Sequence, residues 1–263
     1  MHAHDQPGPT HACSDGYGEC VSLSPSPTPD DRPRLIPALS PVGGRLGSAV
    51  YDLLKERLLE GTYTPGEKLR MEELRQEFGV SKQPVMEALR RLSSERLVEI
   101  VPQVGCTVMT YSASDVADFF TLFGGFEGAV AAVAAVRRTD PQLDELDRIH
   151  QQIGALRTDP DPAVRAHGYR VLNREFHGII HQMAHSRIMA ELSQRMWDLS
   201  DFLINTTGVP RPLASALPER HHDHDLILSA LRTHNADAAR QAMHSHIIET
   251  IAVIRAEARA QTS

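Results

Sequence analysis

Thiols are scarce in this chain. Cys13, Cys20 and Cys106 are its three cysteines, and no two of them form a C-x-x-C pair. An odd set without that spacing excludes a disulfide framework and a thiolate zinc site. Basic excess is missing too: the formal net charge is −7. That rules out a polycation binding nucleic acid indiscriminately, while leaving room for a sequence-specific factor with locally clustered basic residues. No apolar run is read as spanning a membrane, and the N-terminus lacks the apolar core of a signal peptide. The expected location is therefore cytoplasmic, with no membrane partner.

What is present divides the chain in three. Residues 1–44, which include SPSPTPDDRP, lack apolar periodicity and read as a disordered tail. His2, His4, His11 and Cys13 lie in it, and a solvated tail is favoured over a loose metal site. The remaining length suits two modest domains with real cores. Residues 45–111 are expected to form a three-helix domain with a β-hairpin. Residues 112–263 show helical patterning throughout and are expected to form an all-α bundle of about six helices.

The first domain centres on residues 69–108. Leu74 and Phe78 lie four apart, on one helix face. Gly79 suits a left-handed helix end. Ser81 is placed as the next N-cap, its hydroxyl available to the orphan amides, with Pro84 in the first turn. Val85, Leu89 and Leu92 line the buried face of this second helix, while Lys82, Gln83 and Met86 point elsewhere. Leu97–Val101 and Cys106–Val108 are the arms of the hairpin, turning between Pro102 and Gly105. Such a helix-turn-helix enters the major groove N-terminus first. The competing reading is a small helical domain without a ligand. The runs GTYTPGEKL, GVSKQPV and EALRRL resemble the winged helix-turn-helix of GntR-type transcriptional regulators. That resemblance covers about residues 45–110 and implies DNA binding.

In the second domain, Ser114 with Asp115 is read as capping the first bundle helix. The stretch AVAAVAAV further along it offers a small-residue surface of the kind that often makes a dimer face. The Gly124–Gly125 pair reads as a weak point or a close backbone approach. Histidines are abundant, and His177, His224 and His246 each precede aliphatic residues on a helix. Inward-facing imidazoles need partners, and several on adjacent helices suggest one shared divalent metal. Asn173, one turn before His177, could add a weak fourth ligand. A rival set lies on one helix: His177, His181 and His185 repeat at i, i+4 and i+8.

The run LNREFH (Leu172–His177), His224 with Ile227, Ala230 and Leu231, Asp237 with Ala238 and Ala239, and His246 with Ile247 resemble the FCD ligand-binding domain of the FadR subgroup, over about residues 113–255. That resemblance implies a dimerising bundle whose pocket often holds Zn, with Ni or Mn as possible substitutes. It maps the metal ligands onto Asn173, His177, His224 and His246, with a small organic acid as effector. Two departures stand out. Asn173 replaces an aspartate common in metal-binding members. Phe123 stands where an arginine is often found, one turn before Glu127, which suggests a more apolar pocket. On the DNA side, relatives often carry Arg where this chain has Lys82 and Met86. Lysine offers a point charge, not a bidentate fork, and Gln83 can read adenine. A different operator is expected.

The sequence therefore reads as a homodimeric regulator on a palindromic double-stranded operator, by default a repressor and not an enzyme. Ser81, Lys82 and Gln83 face bases or adjacent phosphates. Arg70, Arg90 and Arg91 are phosphate or packing candidates, and Gln103 to Gly105 form the wing tip. Two further readings stay open: a regulator sensing the metal itself, and a metalloenzyme with a DNA-binding module. The latter's best general base, Glu175, lies two residues from His177 and off its face.

Overall fold

The computed structural model describes residues 45–101, 105–206, 213 and 215–261. The expected disordered tail lies outside them, as does Gln103.

Helix α1 (Arg45–Leu59) opens the winged unit, followed by strand β1 (Lys68–Leu69), α2 (Met71–Phe78), α3 (Lys82–Ser94), β2 (Val98–Val101) and β3 (Gly105–Val108). Val50, Leu54 and Leu58 of α1 are fully buried with Val85, Ala88 and Leu92 of α3. The i, i+3, i+4 spacing of these residues places them on facing stripes. Gly79 ends α2 with φ 63°, the left-handed conformation that glycine adopts without steric cost. Ser81 holds the N-cap position of α3, but its hydroxyl makes no capping hydrogen bond, contrary to expectation. The hairpin is also one strand short of the observed sheet. β1 pairs antiparallel with β3, giving the order β1-β3-β2. Two residues carry no periodicity, so β1 exists only because β3 offers it an edge.

Among the described residues six helices follow: α4 (Ala113–Arg137), α5 (Asp140–Leu156), α6 (Pro162–Met183), α7 (Arg187–Asn205), α8 (Leu217–Arg232) and α9 (Ala236–Gln261). The cap of α4 is Ser112, which shares a reciprocal capping box with Asp115, so the cap sits two residues before the expected Ser114. α4 is long and apolar enough to cross a membrane by composition, which the expectation of no such run missed. However, 56% of its most apolar window is buried inside the protein, as suits a core helix. A Cβ on Gly124 would meet Ile248 at 3.1 Å, and one on Gly128 would meet the Arg240 carbonyl at 2.9 Å. These two glycines therefore let α9 approach the α4 backbone, whereas Gly125 faces open space. The small-residue stripe is used the same way. Val130, Ala131, Ala132, Ala134 and Ala135 are buried within this one chain, so the stripe is interior and not a free dimer face.

The winged unit rests on α6 and α7. Lys55 of α1 pairs with Asp198 of α7 at 2.7 Å, and Arg170 of α6 holds Glu56 and Glu60. Asn205 Nδ2 donates to the Leu59 carbonyl at 2.8 Å. Gly61, with φ 71°, comes so near that a Cβ there would lie 2.6 Å from the Asn205 carbonyl oxygen.

Candidate metal centre and nucleic-acid face

At the start of α3, Ser81, Lys82 and Gln83 are exposed, and Met86 is half-buried. A helix N-terminus presents unpaired amides and partial positive charge, which suits a phosphate backbone. Arg70, Lys82, Met86 and Gly105 line one groove between this helix end and the wing. Arg70 is exposed and donates to Glu73 at 3.0 Å. Arg90 is exposed on the same helix. Arg91 is committed elsewhere: its guanidinium lies 3.6 Å from the Tyr51 ring centroid and donates to Ser48. Of its two sequence-level readings, packing fits this position better. Gly105 is exposed at the start of β3, with φ 126°.

The bundle collects the three dispersed histidines. His177 comes from α6, His224 from α8 and His246 from α9, and one ring nitrogen of each lies within 4.8 Å of those of the others. All three side chains are buried. Both nitrogens of His177, both of His224 and the Asn173 Oδ1 lack any hydrogen-bond partner. Buried polar atoms left unpaired cost about 1–3 kcal/mol each, and these five belong to two of the converging histidines and to Asn173, one turn before His177, which suits a place where another group binds. His246 differs. Its Nδ1 lies 3.2 Å from Asp223 Oδ2, an arrangement in which Nδ1–H donates and Nε2 is left as the free ligand atom. Burial pushes all three imidazoles below their ordinary pKa, His177 and His224 furthest. They are therefore neutral near pH 7, the form that ligates metals.

The rival set on α6 does not assemble. His181 Nε2 turns to buried Glu127 at 2.9 Å, and His185 lies beyond the helix end, exposed, with φ 47°. Glu175, the one candidate general base, is exposed and 3.6 Å from Arg148.

A cavity of about 450 Å³ adjoins the triad. Asn173 and His246 contribute to its lining, and Phe120 and Trp197 form apolar wall. Tyr169, Arg170, Ser200, Asp201 and Asn205 add polar groups, and Glu60, Gly61 and Thr62 of the winged unit contribute to the lining. The apolar pocket inferred from Phe123 is not what forms. Phe123 is fully buried against Trp197, centroids 5.1 Å apart, and the cavity lining does not include it.

Residues 46–108 match the family of bacterial regulatory proteins named gntR, and residues 118–249 match the FCD domain. The chain is a GntR-family protein with an FCD domain. It is 26% identical over 208 residues to the HTH-type transcriptional repressor GlaR of Escherichia coli K12, covering 78% of this chain and 94% of GlaR. It is 29% identical over 214 residues to the repressor RspR of the same strain, covering 78% and 87%. The solved structure of E. coli McbR/YncC shares the fold, with TM-score 0.69 and 22% identity over 81% of this chain and 98% of that one. These relatives are transcriptional regulators, not enzymes. This GntR-family chain is a DNA-binding transcriptional regulator.

Several residues of the site were not singled out from the sequence. Arg220, 1% exposed, reaches Asp223 at 2.8 Å and donates to the His246 carbonyl at 2.8 Å. It thereby locks the helix turn that carries a candidate ligand. The i, i+3 spacing of Arg220 and Asp223 was the available signal. Phe176 stacks on His224 with centroids 4.1 Å apart, and Trp197 lies 4.2 Å from His177. These aromatic walls hold the two rings that have no hydrogen bond of their own.

Proposed function

We propose that this protein is a homodimeric repressor of the FadR subgroup, acting in the cytoplasm, whose grip on a palindromic operator is set by a small effector bound beside a divalent metal. The observation that carries the metal reading is the convergence of His177, His224 and His246, the first two with unpartnered nitrogens. Two neutral rings with free lone pairs, a third oriented by a carboxylate and an unpaired amide oxygen suit Zn, Ni or Mn. His177, His224, His246 Nε2 and Asn173 Oδ1 would hold the ion. When bound, it would supply positive charge and a Lewis-acidic position for an anionic ligand. The repressor sign follows GlaR and RspR, both HTH-type transcriptional repressors.

In this reading residues 45–111 form the DNA-binding domain and 112–263 the effector domain. Ser81, Lys82 and Gln83 read the groove, Arg70 and Arg90 neutralise phosphates, and the wing around Gly105 lies along the backbone. The cavity supports an effector in preference to the ion alone as signal, because it lies between the triad and the end of α1. A ligand there changes the energy of whichever domain arrangement it contacts better, and so changes operator affinity.

Elemental analysis of the purified protein tests the metal reading. About one equivalent per protomer in wild type, lost in His177→Ala and in His224→Ala while helical circular dichroism is retained, is the expected result. Absence of metal from wild type purified without chelator and then incubated with Zn would overturn it.

A further inference from the structure

A second set of metal-ligating side chains converges outside the triad. His150 of α5 meets His221 and Asp225 of α8, with one ligand atom of each within 4.8 Å of the others. His221 and Asp225 are four residues apart, which puts them on one face of α8. His150 Nε2 lies 2.7 Å from Asp225 Oδ1, and its ring stacks on that of His221 with centroids 4.0 Å apart. His221 Nδ1 is 3.7 Å from Asp225 Oδ2. A tetrahedral ion holding its donors at about 2.0–2.2 Å sets them roughly 3.3 Å apart, and the two separations fall on either side of that spacing.

The surroundings distinguish this cluster from a surface ion pair. His150 is 7% exposed and its Nδ1 has no hydrogen-bond partner, so its placement rests on Nε2 and on the stacking. His221 packs against α5 at Gly154, where a Cβ would lie 2.8 Å from its Nε2, and it hydrogen-bonds the His150 backbone. That contact holds the imidazole by one side and leaves Nδ1 facing Asp225, as a backbone partner does for a ligating ring. Asp225 is exposed, so the cluster is open to solvent. Among the described residues its ion-pair partners are His150 and His221, with no arginine or lysine. An entering ion thus displaces a proton shared between its own ligands and competes with no fixed cation for the carboxylate.

We propose that His150, His221 and Asp225 form a second divalent-metal site, distinct from the triad and exchangeable with solvent. Two imidazoles and one carboxylate suit Zn, Ni or Co, and not Mg or Ca, which take oxygen ligands. Water completes the coordination on the Asp225 side. Arg157, whose charge acts on His221, disfavours a further cation and makes this the weaker of the two sites. An ion here would fasten α8 to α5. Helix α8 also carries His224, whose ring centroid is 6.3 Å from that of His150, so occupancy of the outer site steadies a ligand of the inner one. The outer site does not depend on the triad holding a metal.

Zn uptake by the full-length protein makes the test, by equilibrium dialysis at about 0.1 mM free Zn followed by elemental analysis. Wild type should take up about one equivalent per protomer more than Asp225→Asn or His221→Gln. Residues 1–44 are common to all three, so any ion held there cancels, and helical circular dichroism checks that each variant is folded. The same loss should appear when Asp225→Asn is added to His177→Ala, and Mg should show no such difference. Equal Zn uptake by wild type and both variants would overturn the site. So would an equal difference with Mg, the mark of plain charge attraction. A difference that vanishes in the His177→Ala background would show that Asp225 acts only through the triad, and would overturn the outer site as well. A difference that survives there upholds the outer site, whether or not His177→Ala by itself loses an ion and so upholds the triad.

Discussion

The winged unit and the bundle bury different things. Among the described residues, every buried polar or charged side chain, from Glu127 to Thr250, belongs to the bundle. The interior of the winged unit is aliphatic and aromatic, with Leu54, Leu58, Leu74, Phe78, Leu89 and Leu92 at its centre. Its candidate DNA-facing groups, Ser81, Lys82 and Gln83, stay in solvent. DNA is a large external partner, so a unit that reads it needs only a rigid shape and a charged face. A small effector must be surrounded, so a unit that reads it has to carry polar groups inward and accept their desolvation.

Because of this difference, core substitutions in the two regions should differ in sign. Leu89→Ala deletes packing in the winged core and should destabilise the protein by about 2–5 kcal/mol, lowering its urea midpoint. An unchanged midpoint would mean that the winged core is loosely packed.

Asp201 tests the cost of inward charge. Its folded pKa, about 6, exceeds its ordinary value, so the folded state binds the proton more tightly than the unfolded chain does. Its effect is therefore favourable below the unfolded pKa, near 4, and is lost as pH rises to about 6, by up to about 3 kcal/mol. Urea titrations at several pH values should show Asp201→Asn gaining stability relative to wild type across that window. A difference independent of pH would contradict the raised pKa.

His177→Leu replaces a ring with two unpartnered nitrogens by an apolar side chain of similar size. Metal-free protein should become more stable by about 1–3 kcal/mol, while Zn should no longer protect it against thermal unfolding. Destabilisation of the metal-free form would show that the triad is held by interactions other than metal. The smallest effect belongs to the outer face. Lys82→Ala should leave stability within about 0.5 kcal/mol, weaken operator binding about fivefold to tenfold, and reduce the salt slope of binding by about one. Unchanged affinity would remove Lys82 from the contact set.

Most of the winged unit was legible because its determinants are local. Gly79 marks a left-handed turn, and the four-residue spacing of Leu74 and Phe78 marks a helix face, whatever surrounds them. The two residues of β1 were not legible, since Lys68 and Leu69 become a strand only when β3 lies beside them. The hydroxyl of Ser81 was misread for a related reason: its type favours a cap, but its conformation leaves the hydroxyl unused. In the bundle, aliphatic neighbours and the family resemblance pointed to His177, His224 and His246. Nothing in their spacing distinguished them from His181, whose fate depends on Glu127 arriving from α4.

By itself, then, the sequence determined most of the local elements: which stretches are helical, where Gly79 turns the chain, and which helix faces are apolar. Those choices depend on contacts within one or two turns, where residue type and period decide the energy. Tertiary structure alone decided the chemistry of the cavity. Asp201 is an ordinary helix residue until burial strips its water, and Asn205 links nothing until Leu59 lies opposite. Desolvation and long-range pairing depend on what the rest of the chain brings near, and no local pattern records that.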